Sequence, residues 1–266
     1  MPLIAPFSDL HLEHANIALL TEGANVVVLA GDIYALGQAE LSSQETVIDV
    51  MARIVSDKPV VFVPGNHDLE NSIISKQLSV WKHISKERYG GRIHVLFNES
   101  VDIDGVRFLG TPLFTNFAST GMQEKLVVEA QRVMPDFRKI LVSENVFATA
   151  KDYCIWHEEA KQWLNEQLDR DLKTPKVVVT HFSPSFKISP RRRTDTPMDA
   201  YWTNNCEELV EKAHLWISGH THCCAQAKIG KKKNKGYMVS NARGYSKIFN
   251  LSADRNFKRD LRLRVP

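Results

Sequence analysis

The sequence has no long apolar run. Nothing in its 266 residues approaches the ~20 consecutive apolar residues that a membrane-crossing helix needs. It is also poor in cysteine. Cys154, Cys206, Cys223 and Cys224 are the only four, and they form neither a C-x-x-C pair nor a disulfide framework. Reduced thiols in a cytosolic protein are the expectation, with Cys223-Cys224 read as small buried residues on a strand. Excess charge is lacking as well: 34 Lys+Arg against 31 Asp+Glu leave +3, too little to argue for a nucleic-acid partner. The N-terminus has no basic segment followed by an apolar stretch of signal-peptide length, so a cytoplasmic location is expected. Repeats, low-complexity tracts and linkers are absent. What remains is ordinary for a globular enzyme with a sizeable core, 43% hydrophobic and 24% charged, and residues 1–266 are expected to form one domain.

Strand signals come first. Leu3-Ile4 to Phe7 reads as a short strand, with Pro6 awkward because proline cannot donate to a central ladder. Val26 to Ala30 is a continuous apolar run, as expected of a strand buried on both faces; Val60 to Val63, Lys176 to Thr180 and Leu215 to Ser218, with apolar centres, read as further strands. Val101-Asp102-Ile103 and Val106-Arg107-Phe108 alternate around Asp104-Gly105, a hairpin signal. Ser42 with Glu45 reads as a capping box before Val47, Ile48, Met51, Ile54 and Val55 at helical spacing. A helix to about Arg88 follows Val60 to Val63 and the Pro64 to Asp68 turn. Thr149 with Asp152 caps another helix, whose stripe of Tyr153, Trp156, Ala160, Trp163, Leu164 and Leu168 is core packing. Residues 111–142 read as a loop over one rim. Lys231, Lys232, Lys233 and Lys235 lie between two late strands, where a solvated hairpin tip belongs. Strand–helix alternation with strands again at the end points to an α/β domain with more than one sheet layer.

Chemistry gathers where strands end: Asp9 and His11, Asp32, Asn66 with His67, His181, then His220 with His222. Singly each has an ordinary reading: Asp32 as a turn residue, Asn66 to Asp68 as a helix N-cap, His181 as a core histidine. Together they occupy five strand ends, and loops at the carboxyl ends of sheet strands share one ligand-binding rim. Imidazoles, carboxylates and an amide suit divalent transition metals better than calcium.

In this order D-x-H, G-D, G-N-H-D, an apolar strand ending in His, and G-H-x-H resemble the calcineurin-like metallophosphoesterase superfamily, over most of the chain. Thr111 to Thr115 and Met134 to Arg138 resemble its small cytoplasmic branch. The resemblance implies an α/β fold: a four-layer αββα sandwich, two mixed sheets flanked by helices. It also implies two divalent metal ions (Mn, Fe, Zn or similar), one held by Asp9, His11, Asp32 and His222, the other by Asp32, Asn66, His181 and His220. Asp32 would bridge them, and His67 would contact the phosphate and protonate the leaving group. Two ions roughly 3.5–4 Å apart can lower the pKa of a bridging water, giving a hydroxide that attacks the phosphorus in line.

The sequence departs from the family's G-D-x-x-D-R: Ala35 stands where an acid would orient the catalytic histidine, and Leu36 where an arginine would bind phosphate. This favours a small diester substrate over a monoester, because a diester needs less cationic compensation. One of Arg191, Arg192 and Arg193 is a candidate to replace the missing arginine; a solvated surface loop is the competing reading. A nuclease would call for a broad basic groove, a nucleotide-lipid pyrophosphatase for a membrane-contacting helix, and a non-catalytic scaffold for eroded ligands, of which none is missing.

Overall fold

The computed structural model describes residues 2–35, 46–190, 196–245 and 255–265. In chain order it holds β1 (Leu3–Phe7), β2 (Val26–Leu29), α1 (Val47–Val55), β3 (Val60–Phe62), α2 (Ile74–Tyr89), β4 (Ile93–Val95), β5 (Glu99–Ile103) and β6 (Val106–Gly110). Next come α3 (Gln123–Val133), β7 (Leu141–Ser143), β8 (Val146–Phe147), α4 (Ala150–Asp169), β9 (Lys176–Val179), α5 (Asp199–Trp202) and α6 (Glu207–Val210). The last elements are β10 (Leu215–Ser218), β11 (Ala225–Lys228), β12 (Tyr237–Ser240) and β13 (Leu263–Arg264).

The continuous apolar runs are strands with both faces covered. In β2, Val27 and Leu29 pack with Val47 and Met51 of α1 and Trp81 of α2. The alternate residues Val26 and Val28 meet Val177, Val179, Leu215 and Ile217 from the other sheet. On the far side Val178 and Trp216 pack on Ala160, Leu164 and Leu168 of α4 and Leu209 and Val210 of α6. Period-2 alternation thus sends each strand's residues into two apolar interfaces. Three interfaces separate four layers, αββα, and each fully buried aliphatic or Phe side chain contributes about 1.5–3 kcal/mol.

One sheet runs β13-β1-β2-β3-β4 and the other β11-β12-β10-β9-β6-β5. Strands β1 to β4 are mutually parallel, as are β6, β9, β10 and β12. The edge strands β13, β5 and β11 are antiparallel to their neighbours. A parallel bridge between Ser8 and Ala242 ties the end of β1 to the end of β12, so the carboxyl rims of the two sheets meet.

Several expectations need correction. Pro6 sits in register with Val28 inside β1. The strand tolerates it because β13 pairs only with Leu3 and Ile4; beyond them, on the side where an N–H would have faced, the Pro6 carbonyl accepts from Asn241 Nδ2 at 2.9 Å. Helix α1 is capped by Thr46 with Asp49; Ser42 and Glu45 lie outside the described residues. A single 3₁₀ turn, His67–Leu69, precedes α2, which begins only at Ile74. The stretch 111–142 carries helix α3 as well as loop. Cys223 and Cys224 are half-buried and precede β11 rather than lying in it. The Thr149–Asp152 capping box and the β5–β6 hairpin are as expected, and Lys231, Lys232 and Lys233 are exposed between β11 and β12.

Trp81 is fully buried with its ring 5.6 Å from that of Phe62, edge-on. Trp81→Ala should lower the unfolding free energy by about 3–5 kcal/mol, measured by urea denaturation. A loss below about 1 kcal/mol would mean that the α2 layer is not part of the cooperative core.

Candidate metal centre

Five of the seven residues implied as metal ligands leave their strands in the left-handed region: Asp9 (φ 51°), His11 (44°), Asp32 (54°), His220 (68°) and His222 (51°). Each such residue costs on the order of 1–3 kcal/mol, so the surroundings must impose it. The turn swings the side chain out of the strand direction and across the rim. Backbone bonds hold the loops in place: Asp9 N donates to Gly31 O at 2.9 Å, His11 N to Asp32 O at 3.1 Å and Gly219 N to His181 O at 2.9 Å. Buried Asp68 binds the β2 and β3 loops together, accepting from Asp32 N (2.7 Å), Ile33 N (2.9 Å), Tyr34 N (3.1 Å) and Gly65 N (2.8 Å). Burial and the charge of Asp32 push its pKa up to about 7, while the four N–H donors favour the ionised form. The motif glycines allow close approach. A Cβ on Gly65 would stand 2.1 Å from Asp32 Oδ1, and one on Gly31 would stand 2.3 Å from His181 Nδ1.

The side chains converge in two overlapping sets. Asp9, His11, Asp32 and His222 bring their donor atoms within 4.8 Å of one another, and so do Asp32, His181 and His220. Asp32 is common to both. Its Oδ2 lies 3.2 Å from His181 Nε2 and 3.9 Å from His11 Nε2, while its Oδ1 accepts from His67 N at 2.9 Å. His11 Nε2 is 3.2 Å from His222 Nε2, which in turn lies 3.4 Å from Asp9 Oδ1. Asn66 points Oδ1 at His181 Nε2, 3.2 Å away, and its side chain makes no cap bond to the 3₁₀ turn behind it. His220 Nε2 is buried without a hydrogen-bond partner; burial and the charge of His181 hold its pKa well below the usual value, so it is a neutral imidazole. An orphaned imidazole nitrogen facing lone pairs and carboxylates is a donor set that fits a cation.

A second layer of acids, not singled out in the sequence, orients these groups. Glu13 Oε1 lies 2.9 Å from His11 Nδ1, and its Oε2 accepts from Ala35 N at 3.0 Å. His181 Nδ1 is bonded to Ala30 O at 2.9 Å. In both rings Nδ1 then carries a proton and Nε2 faces the cluster. Asp136, inside the stretch read as a rim loop, accepts from Asn66 Nδ2 at 3.2 Å and from the hydroxyls of Tyr153 (2.8 Å) and Tyr201 (2.5 Å). That bond fixes which way the Asn66 amide points. His67 is not in either donor set. Its Nδ1 pairs with Glu70 Oε1 at 3.0 Å, and Lys139 holds the other oxygen of Glu70 at 2.9 Å. The acid missing at Ala35 is thus replaced by one three residues along from the histidine itself. Only the i, i+3 spacing of His67 and Glu70 hinted at this. Tyr245, beyond the end of β12, also reaches His67. Leu36 and Arg191, Arg192 and Arg193 lie outside the described residues.

A model of the family described as calcineurin-like phosphoesterase matches residues 3–224. The chain belongs to the calcineurin-like phosphoesterase family. No curated protein is similar enough in sequence to match. Among solved structures, the phosphopantetheinyl hydrolase PptH from Mycobacterium tuberculosis superimposes with a TM-score of 0.64 at 15% identity, over 92% of this chain and 90% of that one. A dimetal phosphatase from Danio rerio superimposes with a TM-score of 0.53 at 14% identity, over 90% of this chain and 87% of that one. At such identities the likeness is one of fold. Among the described residues, no helix is long and apolar enough to cross a membrane.

In the metal-free protein, burial opposes charge on His67 and His181. The carboxylate of Asp32 outweighs it, aided by Glu70 for His67 and Asp9 for His181. The pKa values rise to about 10 and about 9, against ~6.5 in an unfolded chain. A pKa raised by folding contributes stability that is complete below ~6.5 and is lost as the pH climbs through the folded value. Chelated protein should therefore lose stability from pH 7 to pH 10 in urea unfolding, and His67→Gln should lose less. Equal slopes in parent and variant would mean that His67 is neutral in the metal-free fold.

Proposed function

We propose that the chain is a dinuclear-metal phosphoesterase acting on a small phosphate ester, a diester rather than a monoester. The observation that carries this reading is the position of Asp32: one carboxylate oxygen lies beside His181 Nε2 at 3.2 Å and His11 Nε2 at 3.9 Å. In this reading Asp9, His11, Asp32 and His222 hold one ion, and Asp32, Asn66, His181 and His220 hold the other. Divalent ions so placed supply an acidified water as nucleophile and neutralise charge on the phosphoryl oxygens. Neutral Asn66 keeps the net charge of the second set low enough for an anionic substrate to approach. His67, outside both sets and held by Glu70, offers a proton to the departing oxygen. Arg243, the guanidinium in the loop after β12, donates to the carbonyls of Leu10 (2.8 Å) and Ala15 (2.6 Å); its commitment to backbone supports a substrate of low charge.

After reconstitution with manganese, elemental analysis should approach two equivalents per chain. Asp32→Ala should lose more metal than His11→Ala, because it removes the shared ligand. One equivalent or none in folded parent protein would overturn the dinuclear reading. A panel of monoesters, diesters, cyclic nucleotides and oligonucleotides assayed with manganese tests the substrate class.

His67→Asn should keep both metals and lower kcat by roughly 10²–10⁴. The deficit should shrink on p-nitrophenyl esters, whose leaving group hardly needs a proton. Loss of metal from this variant would place His67 among the ligands instead.

A further inference from the structure

Five strand ends carry the sequence motifs, but a sixth parallel strand, β12, opens onto the same rim and delivers Asn241 to Tyr245. We propose that Tyr245 is a substrate-contacting residue, its hydroxyl donating a hydrogen bond to a phosphoryl oxygen. This rests on the phosphoesterase reading above and supplies the phosphate contact that the sequence lacks at Leu36.

The tyrosine is held by its backbone. Arg243 N donates to Ser8 O at 3.1 Å and Gly244 N to Asp9 O at 3.0 Å. The Arg243 guanidinium clamps the carbonyls of Leu10 and Ala15, on the loop that carries His11. The segment leading to Tyr245 is therefore fixed to the same backbone that presents Asp9 and His11. Its ring lies against the imidazoles of His11 (centroids 4.3 Å) and His222 (4.7 Å). From there the hydroxyl reaches across to 3.3 Å from His67 Nε2. Tyr245 thus links one set of candidate ligands to the candidate proton donor, and a phosphate lying over the cluster and within reach of His67 must pass its hydroxyl.

The bond to His67 is long for a hydroxyl and a ring nitrogen. With His67 protonated, Nε2 donates and the tyrosine oxygen accepts, so the hydroxyl's own hydrogen is left for a charged phosphoryl oxygen, a strong acceptor. The same contact holds the Nε2 proton of His67 beside the bound phosphate. A phenol contributes a donor without a full charge, which matches a diester better than a monoester.

The test compares parent, Tyr245→Phe and Tyr245→Ala, each loaded with manganese. The measurements are metal equivalents, melting temperature, the Kd of inorganic phosphate by calorimetry, and kcat and KM on the best ester found. Phenylalanine keeps the ring against His11 and His222, so metal content and melting temperature should match the parent. The phosphate Kd should rise about five- to tenfold and kcat/KM should fall about tenfold or more, as expected for one lost hydrogen bond to a charged group. If Tyr245→Phe matches the parent within twofold in both phosphate affinity and kcat/KM while Tyr245→Ala loses metal or activity, the tyrosine only packs the rings, and the proposal fails. A parent that binds phosphate and turns over an ester, beside an unaffected Phe variant, removes the tyrosine's role and keeps the phosphoesterase reading. A metal-loaded parent that does neither removes both.

Discussion

The rim depends on the carboxylate of Asp68. Fully buried, it takes backbone N–H groups from Asp32, Ile33 and Tyr34 on one loop and from Gly65 on the next. These four bonds oppose the strain of one left-handed Asp32, on the order of 1–3 kcal/mol. The clamp acts beside the bonds from His11 N to Asp32 O and from His67 N to Asp32 Oδ1 to keep Asp32 in its unfavourable backbone region, and Asp32 is the one side chain common to both donor sets. The glycines at 31 and 65 serve the same constraint from the steric side, since neither position has room for a Cβ.

Around that clamp the acids divide into two groups by what they touch. Asp9 and Asp32 face the imidazole cluster directly. Glu13, Glu70 and Asp136 stand one step behind and fix orientation: an Nδ1 proton on His11, the ring plane of His67, the amide sense of Asn66. Those bonds leave the oxygen of Asn66 and the Nε2 atoms of His11 and His181 pointing inward before any ion arrives, so little reorganisation remains for binding. Asp136 also couples the centre to the core. Its tyrosine partner Tyr153 belongs to α4 and packs on Phe114 and Phe137, so the amide of Asn66 is tied to a helix far along the chain.

The sequence by itself determined which strands are covered on both faces and which side-chain types stand at their ends. Continuous apolar runs such as Val26 to Leu29 and Lys176 to Val179 require covering on both faces, and each ends in a polar residue that such a strand can carry only at its mouth. That much is local, because hydrophobic periodicity and strand termination are properties of neighbouring residues. Tertiary structure alone decided the rest. Glu70 was partly hinted at by its spacing from His67. Asp136 lies 70 residues from Asn66 and Tyr245 lies 178 from His67, so no local pattern relates them. Nor could periodicity reveal that Pro6 is tolerated because β13 stops short, or that Cys223 and Cys224 fall outside β11. Side-chain type at a strand end is written in the run of residues. Which distant acid turns an imidazole or an amide to face the cluster is settled only when the two sheet rims are brought together, as Ser8 and Ala242 bring them here.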